Sequence, residues 1–249
     1  MLDYRKGKAY SLKLIGICHI TKSDYQQAIE CLQKSLKLAE EINDKNITSQ
    51  CLNIIGVIYL TQGNYPTALE YWQKSLQIFE EISDKLGVSH CLNNIGNVYL
   101  HQSDYPKALE YYQRALQLKE ELGDKMQISK TLSNIGIVYY YKSDYPKALE
   151  YFQKALMLKI KLVDKKGIAT TYNNIGDCYM SQGDYSKALE NYLKSIEIGE
   201  EIGYKRVISI SHYSLGAVYL KTGEYAKALD YTLKAQVIAQ ELELLDQLK

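Results

Sequence analysis

The residues in this chain with the chemistry for catalysis or metal binding are four histidines, five cysteines and several paired glutamates. His90 and His101 are eleven residues apart. On one helix that spacing separates them by about 16 Å, too far to share a metal ion without ligands from elsewhere. His19 and His212 sit apart from them, and His19 occupies a place where other segments of the chain carry tyrosine, which predicts a core residue. Cys18, Cys31, Cys51, Cys91 and Cys178 contain no C-x-x-C pair and alternate with Ile, Val, Tyr, Ser or Thr at equivalent positions. That substitution pattern fits reduced, partly buried thiols better than disulfides or metal ligands. The pairs Glu40-Glu41, Glu80-Glu81, Glu120-Glu121 and Glu200-Glu201 recur regularly, as a solvated helix face does. No glycine-rich phosphate loop, H-E-x-x-H or G-x-S-x-G is present. These residues predict no enzymatic activity, no cofactor and no metal.

The regularity that disposes of the chemistry defines the architecture. Glycine recurs at 16, 56, 96, 136, 176 and 216, alanine at 28, 68, 108, 148, 188 and 228, and tyrosine at 25, 65, 105, 145, 185 and 225. The step is forty residues throughout, without insertion or deletion. Such a period is the mark of a repeat array, and counting from Ala9 gives units 9–48, 49–88, 89–128, 129–168, 169–208 and 209–248 in one domain spanning 1–249. Within a unit, Leu52, Ile55, Gly56 and Tyr59 fall on one face of a helix. Gly63-Asn64 breaks the pattern with a residue that tolerates positive φ and a good N-cap. A second helix from Tyr65 to about Ile82 carries Leu69, Trp72, Leu76 and Phe79 on one side. Pro66, Pro106 and Pro146 share its first turn, where a missing N–H is tolerated. Asp44, Asp84, Asp124 and Asp164 mark the link to the next unit as expected N-caps. Gly56 and Ala68 are small where two antiparallel helices must approach closely, and Tyr59 and Trp72 with their equivalents fill the space between units. One such helix pair cannot bury both apolar faces, so neighbours must stack.

L-x-x-I-G-x-x-Y followed by A-L-x-x-(W/Y/F), as in Leu52–Tyr59 and Ala68–Trp72, resembles the tetratricopeptide repeat, and the match extends over essentially the whole chain. The usual repeat is ~34 residues with a terminal proline. Here that proline is absent, and six extra residues around Glu80–Lys85 are expected to lengthen the second helix and its loop. In this the chain is similar to the longer repeats of cell-polarity adaptors, kinesin light chains and bacterial signalling proteins. The resemblance implies an all-α, right-handed superhelical α-solenoid of six tandem antiparallel helix pairs whose first helices line a concave groove.

With Leu52, Ile55, Gly56 and Tyr59 turned to the core, the groove columns are those of Gln50, Asn53, Ile54, Val57, Leu60 and Thr61. The Gln50 column adds His90 and Lys130. The Asn53 column adds Asn93 and Asn173, and its neighbour supplies Asn94, Asn134 and Asn174. Asn97 and Asp177 occupy the Val57 column, while Tyr141 and His101 share the Thr61 column. Asparagine is a poor helix former, and its amide offers a donor and an acceptor to a peptide backbone. Helices ~8–10 Å apart beside an extended peptide rising ~3.3 Å per residue would meet about every third peptide bond. The resemblance implies the same, since related arrays hold extended peptides with asparagines in this column. The alternative is that these asparagines only cap and solvate a polar groove. A clamp for a C-terminal carboxylate needs several convergent cations, and the groove columns offer mainly Lys130, with Lys13 and Lys221 distant along the array.

Thirty Lys+Arg against 29 Asp+Glu leave a net charge of +1, which supplies no basic stripe for nucleic acid. No apolar run approaches the ~18–20 residues of a membrane span, and MLDYRKGKAY has no apolar stretch behind its basic residues. A cytoplasmic protein that binds proteins or peptides, with no nucleic-acid or membrane partner, is the expectation. A second reading, a sensory module of a larger histidine kinase, nucleotide cyclase or transcription regulator, or a receptor for a signalling peptide, stays open. Arg5-Lys6-Gly7 looks like the tail of a preceding unit (compare Lys165-Lys166-Gly167), and Ile238, Leu242, Leu245 and Leu248 carry an apolar face toward the C-terminus. Such uncapped ends predict either continuation of the chain or self-association.

Overall fold

A computed structural model describes residues 2–247, with side chains as far as Glu243. Among these residues the chain is all-helical, twelve α-helices without a strand. They fall into two compact units, Met1–Gly123 and Asp124–Lys249. The first unit holds α1 (Leu2–Thr21), α2 (Tyr25–Glu41), α3 (Lys45–Thr61), α4 (Tyr65–Glu81), α5 (Lys85–His101) and α6 (Tyr105–Glu121). The second holds α7 (Lys125–Tyr141), α8 (Tyr145–Lys161), α9 (Lys165–Ser181), α10 (Tyr185–Glu201), α11 (Lys205–Lys221) and α12 (Tyr225–Gln247). Each unit holds three helix pairs. Leu248 and the side chain of Leu245 lie outside the described residues.

The forty-residue period divides into two seventeen-residue helices and two three-residue connections. The connection after α3 shows the chemistry that most of the others share, the exception being Tyr204, which gives α11 no side-chain cap. Gly63 adopts φ +73°, the N–H of Asn64 returns to the carbonyl of Tyr59 at 2.9 Å, and the Asn64 side chain accepts from the N–H of Thr67. The first two features close the preceding helix as a Schellman turn, and the third caps the next. Asp44, Asp84, Asp124 and Asp164 cap α3, α5, α7 and α9 as their spacing predicts. The cap lies at position 44, not at 48, so the repeat begins at Lys45, four residues before the boundary read from Ala9. Arg5-Lys6-Gly7 accordingly belongs to the body of α1, and Lys165-Lys166-Gly167 to the first turn of α9.

Val163 occupies the left-handed position of its connection at φ +55°, where Gly123, Gly183 and Gly203 stand elsewhere. A β-branched residue there is strained, and Val163 is 70% exposed, so its side chain returns little by burial. Val163→Gly is expected to stabilise the second unit by about 1–2 kcal/mol, read as a higher denaturation midpoint. An unchanged or lower midpoint would contradict the strain.

Helices within a pair meet over glycine. A Cβ on Gly56 would lie 2.7 Å from the Trp72 ring, one on Gly96 2.8 Å from Tyr112, and one on Gly136 2.7 Å from Phe152. Successive pairs are matched by volume. Phe79 of α4 lies over Gly87 of α5, whose added Cβ would fall 2.3 Å from the ring, whereas Gly199 of α10 leaves room for Val207 and Ile208 of α11. Each bulky side chain facing a glycine fixes the register of its neighbour, because no other position could accept the ring.

The glutamate pairs have a structural use beyond solvation. Lys45, Lys85 and Lys205 reach the second helix of their own pair at Glu81, Glu121 and Glu241, with N···O distances of 3.1, 2.9 and 2.9 Å. Lys165 pairs likewise with Glu201. These bridges are exposed and worth little individually.

Candidate peptide-binding groove

Within each unit the first helices of successive pairs pack against one another (α1 on α3 and α3 on α5, then α7 on α9 and α9 on α11), while each second helix packs on its own partner and on the first helix that follows. The first-helix side of each unit is therefore the narrower side, and its free face is the candidate groove.

The two asparagine columns, adjacent in sequence, differ in environment. The Asn53 column turns into the seam between first helices. Asn53 Oδ1 accepts from Asn94 Nδ2 at 3.2 Å, Asn93 Oδ1 accepts from Lys119 Nζ at 3.2 Å, and Asn173 is only 6% exposed. Asn173 donates to Asp177 Oδ2 at 3.3 Å and accepts from Ser211 Oγ at 2.9 Å. Lys13 and Ser133 are buried in the same column. Asn173, expected to line the groove, is thus turned into the seam, with its amide engaged on both sides. The next column, Asn94, Asn134 and Asn174, is half-buried along the groove. Asn174 makes no hydrogen bond among the described residues, and Asn94 has its carbonyl uncommitted.

The remaining candidates distribute along this face. Gln50 accepts from Lys13 Nζ and donates to Asn46 Oδ1 at 2.7 Å. With Lys13, Asn53, Ile54 and His90 it lines a concavity of about 300 Å³ in the first unit. Asn97 accepts the Tyr112 hydroxyl at 2.6 Å, and Asp177 accepts that of Tyr192 at 2.7 Å. Burial raises the Asp177 carboxyl and drives the Tyr192 phenol far above its ordinary value. Lys130 is exposed and Tyr141 is 58% exposed. His101 stacks on Tyr65 with ring centroids 5.7 Å apart, at the mouth of the face. His19, expected in the core, is half-buried and pairs with Asp24 at 3.3 Å. Its imidazole is polar at both edges and takes the nearby carboxylate in preference to an apolar seat.

The cysteines are free thiols, three of them buried. Cys51 and Cys91 donate to Ser35 and Ser75, each at 3.3 Å, and burial pushes Cys91 up to about 11 and Cys178 up to about 12. Thiols so raised are poor nucleophiles. Among the described residues no helix is long and apolar enough to cross a membrane.

Paired helices, glycine-seated aromatics and capped three-residue turns define a helical-repeat protein, and the family profile of the tetratricopeptide repeat matches residues 7–81, 52–121, 87–160 and 167–241. The chain belongs to the tetratricopeptide repeat family. Its fold is similar to that of BtubC from P. vanneervenii (TM-score 0.74, 19% identity, covering 86% of this chain and 91% of that one). It is also similar to a Signal Transduction ATPase with Numerous Domains carrying a tetratricopeptide repeat sensor from Pyrococcus horikoshii (TM-score 0.79, 23% identity, covering 98% and 38%). A third similar structure is a Rap protein complexed with Competence and Sporulation Factor (TM-score 0.70, 19% identity, covering 97% and 77%). No curated protein sequence matches the chain.

Proposed function

We propose that this chain is a non-catalytic cytoplasmic scaffold that binds an extended peptide segment along its first helices. The observation that carries this reading is the half-buried Asn94 and Asn174, which keep amide groups uncommitted on the groove face. An amide held there at partial burial is pre-organised for a backbone N–H or C=O. The double variant Asn94→Ala, Asn174→Ala is expected to weaken binding to a displayed peptide library roughly tenfold or more, with helicity by circular dichroism unchanged. Retained affinity in that variant would refute the groove reading.

A second reading is favoured by one comparison. The solved protein from Pyrococcus horikoshii uses such an array as the sensor of a larger signalling ATPase, and this chain spans 38% of it. In that reading the chain is the ligand-reading part of a multidomain regulator, and the Rap protein complexed with Competence and Sporulation Factor supports a signalling factor as ligand. Sequencing the genomic DNA on both sides of the array separates the two. A contiguous effector domain supports the module, and stop codons flanking the array support the stand-alone scaffold.

A further inference from the structure

We propose that Asp177 selects a cationic side chain, a lysine or an arginine, on the peptide bound by the second unit. This inference rests on the groove reading above and adds the chemistry of one ligand position.

The argument begins with what position 177 needs structurally. Across the repeats, the residue in this column faces the large side chain fifteen positions later. Where that side chain is apolar, the column is apolar too, as in Ile17 with Leu32, Val57 with Trp72 and Ile137 with Phe152. Where it is tyrosine, the column carries an acceptor for the hydroxyl. Asn97 fills this role for Tyr112 at 2.6 Å, and Asp177 fills it for Tyr192 at 2.7 Å. The neutral amide does the work as well as the carboxylate, so the negative charge on Asp177 exceeds what the fold requires.

That charge is also uncompensated. Asp177 receives Tyr192 on Oδ1 and Asn173 on Oδ2. Asn173 is itself fixed by Ser211, and Ser211 lies 2.9 Å from Ser195. No lysine, arginine or histidine forms an ion pair with Asp177 among the described residues, and burial raises its carboxyl above the usual carboxylate range. Elsewhere on the chain, exposed carboxylates such as Asp104, Asp144 and Asp184 each have a lysine three residues away. A partly buried carboxylate held by neutral donors and lacking a counter-ion is unfavourable in the free protein. It is favourable once a ligand brings the cation.

The neighbourhood suits that ligand. Asn174 is next to Asn173 on the open face, so a peptide held through its backbone there places side chains beside Asp177. Tyr140 of α7 lies close enough for its phenol to feel the Asp177 charge, and its ring supplies an aromatic wall of the kind that accompanies ammonium and guanidinium groups. A lysine or arginine reaching this point would keep its aliphatic stem against the tyrosine and its head on the carboxylate.

The test uses the full chain and a synthetic library of nine-residue peptides in which each position is fixed in turn as lysine, norleucine or glutamate. The wild type is expected to prefer lysine over norleucine at one position by roughly tenfold to a hundredfold. Asp177→Asn keeps the acceptor for Tyr192, as Asn97 does for Tyr112, and a flip of the Asn173 amide lets its oxygen accept from the new Nδ2 while its nitrogen donates to Ser211 Oγ, so the melting temperature is expected to equal or exceed that of the wild type. In that variant the lysine preference should vanish while norleucine peptides bind unchanged. If peptides bind the wild type with no preference for lysine, or if Asp177→Asn retains the preference, the assignment of Asp177 is wrong and the groove reading stands. If no peptide in the library binds the wild type, both are overturned.

Discussion

Trp72→Ala is expected to destabilise the first unit by about 3–5 kcal/mol. The indole is fully buried and lies on Gly56. Around it are Ala68, Phe79, Cys91, Ile95 and Val98, so it joins its own helix pair to the next. Its Nε1–H donates to the Asn53 carbonyl at 3.0 Å, and truncation removes this second bond to a carbonyl already engaged in α3 as well as opening a cavity. The site cannot collapse easily, since Gly56 has no side chain to follow the void. Trp72→Phe is expected to cost about 1–2 kcal/mol, because Phe152 fills the same place over Gly136 without a hydrogen bond. Trp72 is the only tryptophan, so unfolding must be followed by far-UV circular dichroism and not by fluorescence. A loss near 1 kcal/mol for the alanine variant would show that the repeat interface does not depend on this ring.

The same ring explains what could be read from the amino-acid sequence and what could not. Glycine at 56 and tryptophan at 72 recur as Gly96 with Tyr112 and Gly136 with Phe152, and this pairing is visible as a column pattern in the residues alone. The turn chemistry was equally legible, because a left-handed residue followed by Asp or Asn has few other uses. Which asparagine column faces outward was not. Residues 53 and 54 are about 100° apart on a helix, and a small rotation decides which enters the seam. The deciding neighbours are remote in sequence, as Ser211 is to Asn173. The clasp from Lys45 to Glu81 spans 36 residues, beyond any local pattern, yet a lysine followed 36 residues later by a glutamate, as at 45 and 81, 85 and 121, 165 and 201, and 205 and 241, was available as a signal.

Lys159 is the second place where a large effect is expected. Its side chain is 6% exposed, with Nζ donating to Ser133 Oγ and Thr171 Oγ1, each at 2.8 Å. Among the described residues no carboxylate forms an ion pair with it, and burial lowers its pKa from 10.5 to about 8, with the field of Asp164 opposing and that of Lys130 adding to the fall. The charged form is therefore disfavoured in the folded unit by on the order of 3 kcal/mol. The penalty is present in full below pH 8, where folded and unfolded chains both carry the proton. Between about 8 and 10.5 the folded chain gives up its proton first, so stability rises with pH across that window and the penalty is gone above it. Lys159→Met keeps the length of the side chain and removes the ion. Ser133 and Thr171 retain their own bonds to the carbonyls of Ser129 and Gly167, so no buried donor is stranded. The variant is expected to be more stable than the wild type by about 1–3 kcal/mol at pH 7, with the advantage shrinking above pH 8 and lost near pH 10.5. Denaturant titrations of both proteins at pH 7, 9 and 10.5 measure this directly. A methionine variant less stable at pH 7, or a difference independent of pH, would mean that the hydroxyl contacts outweigh the buried charge.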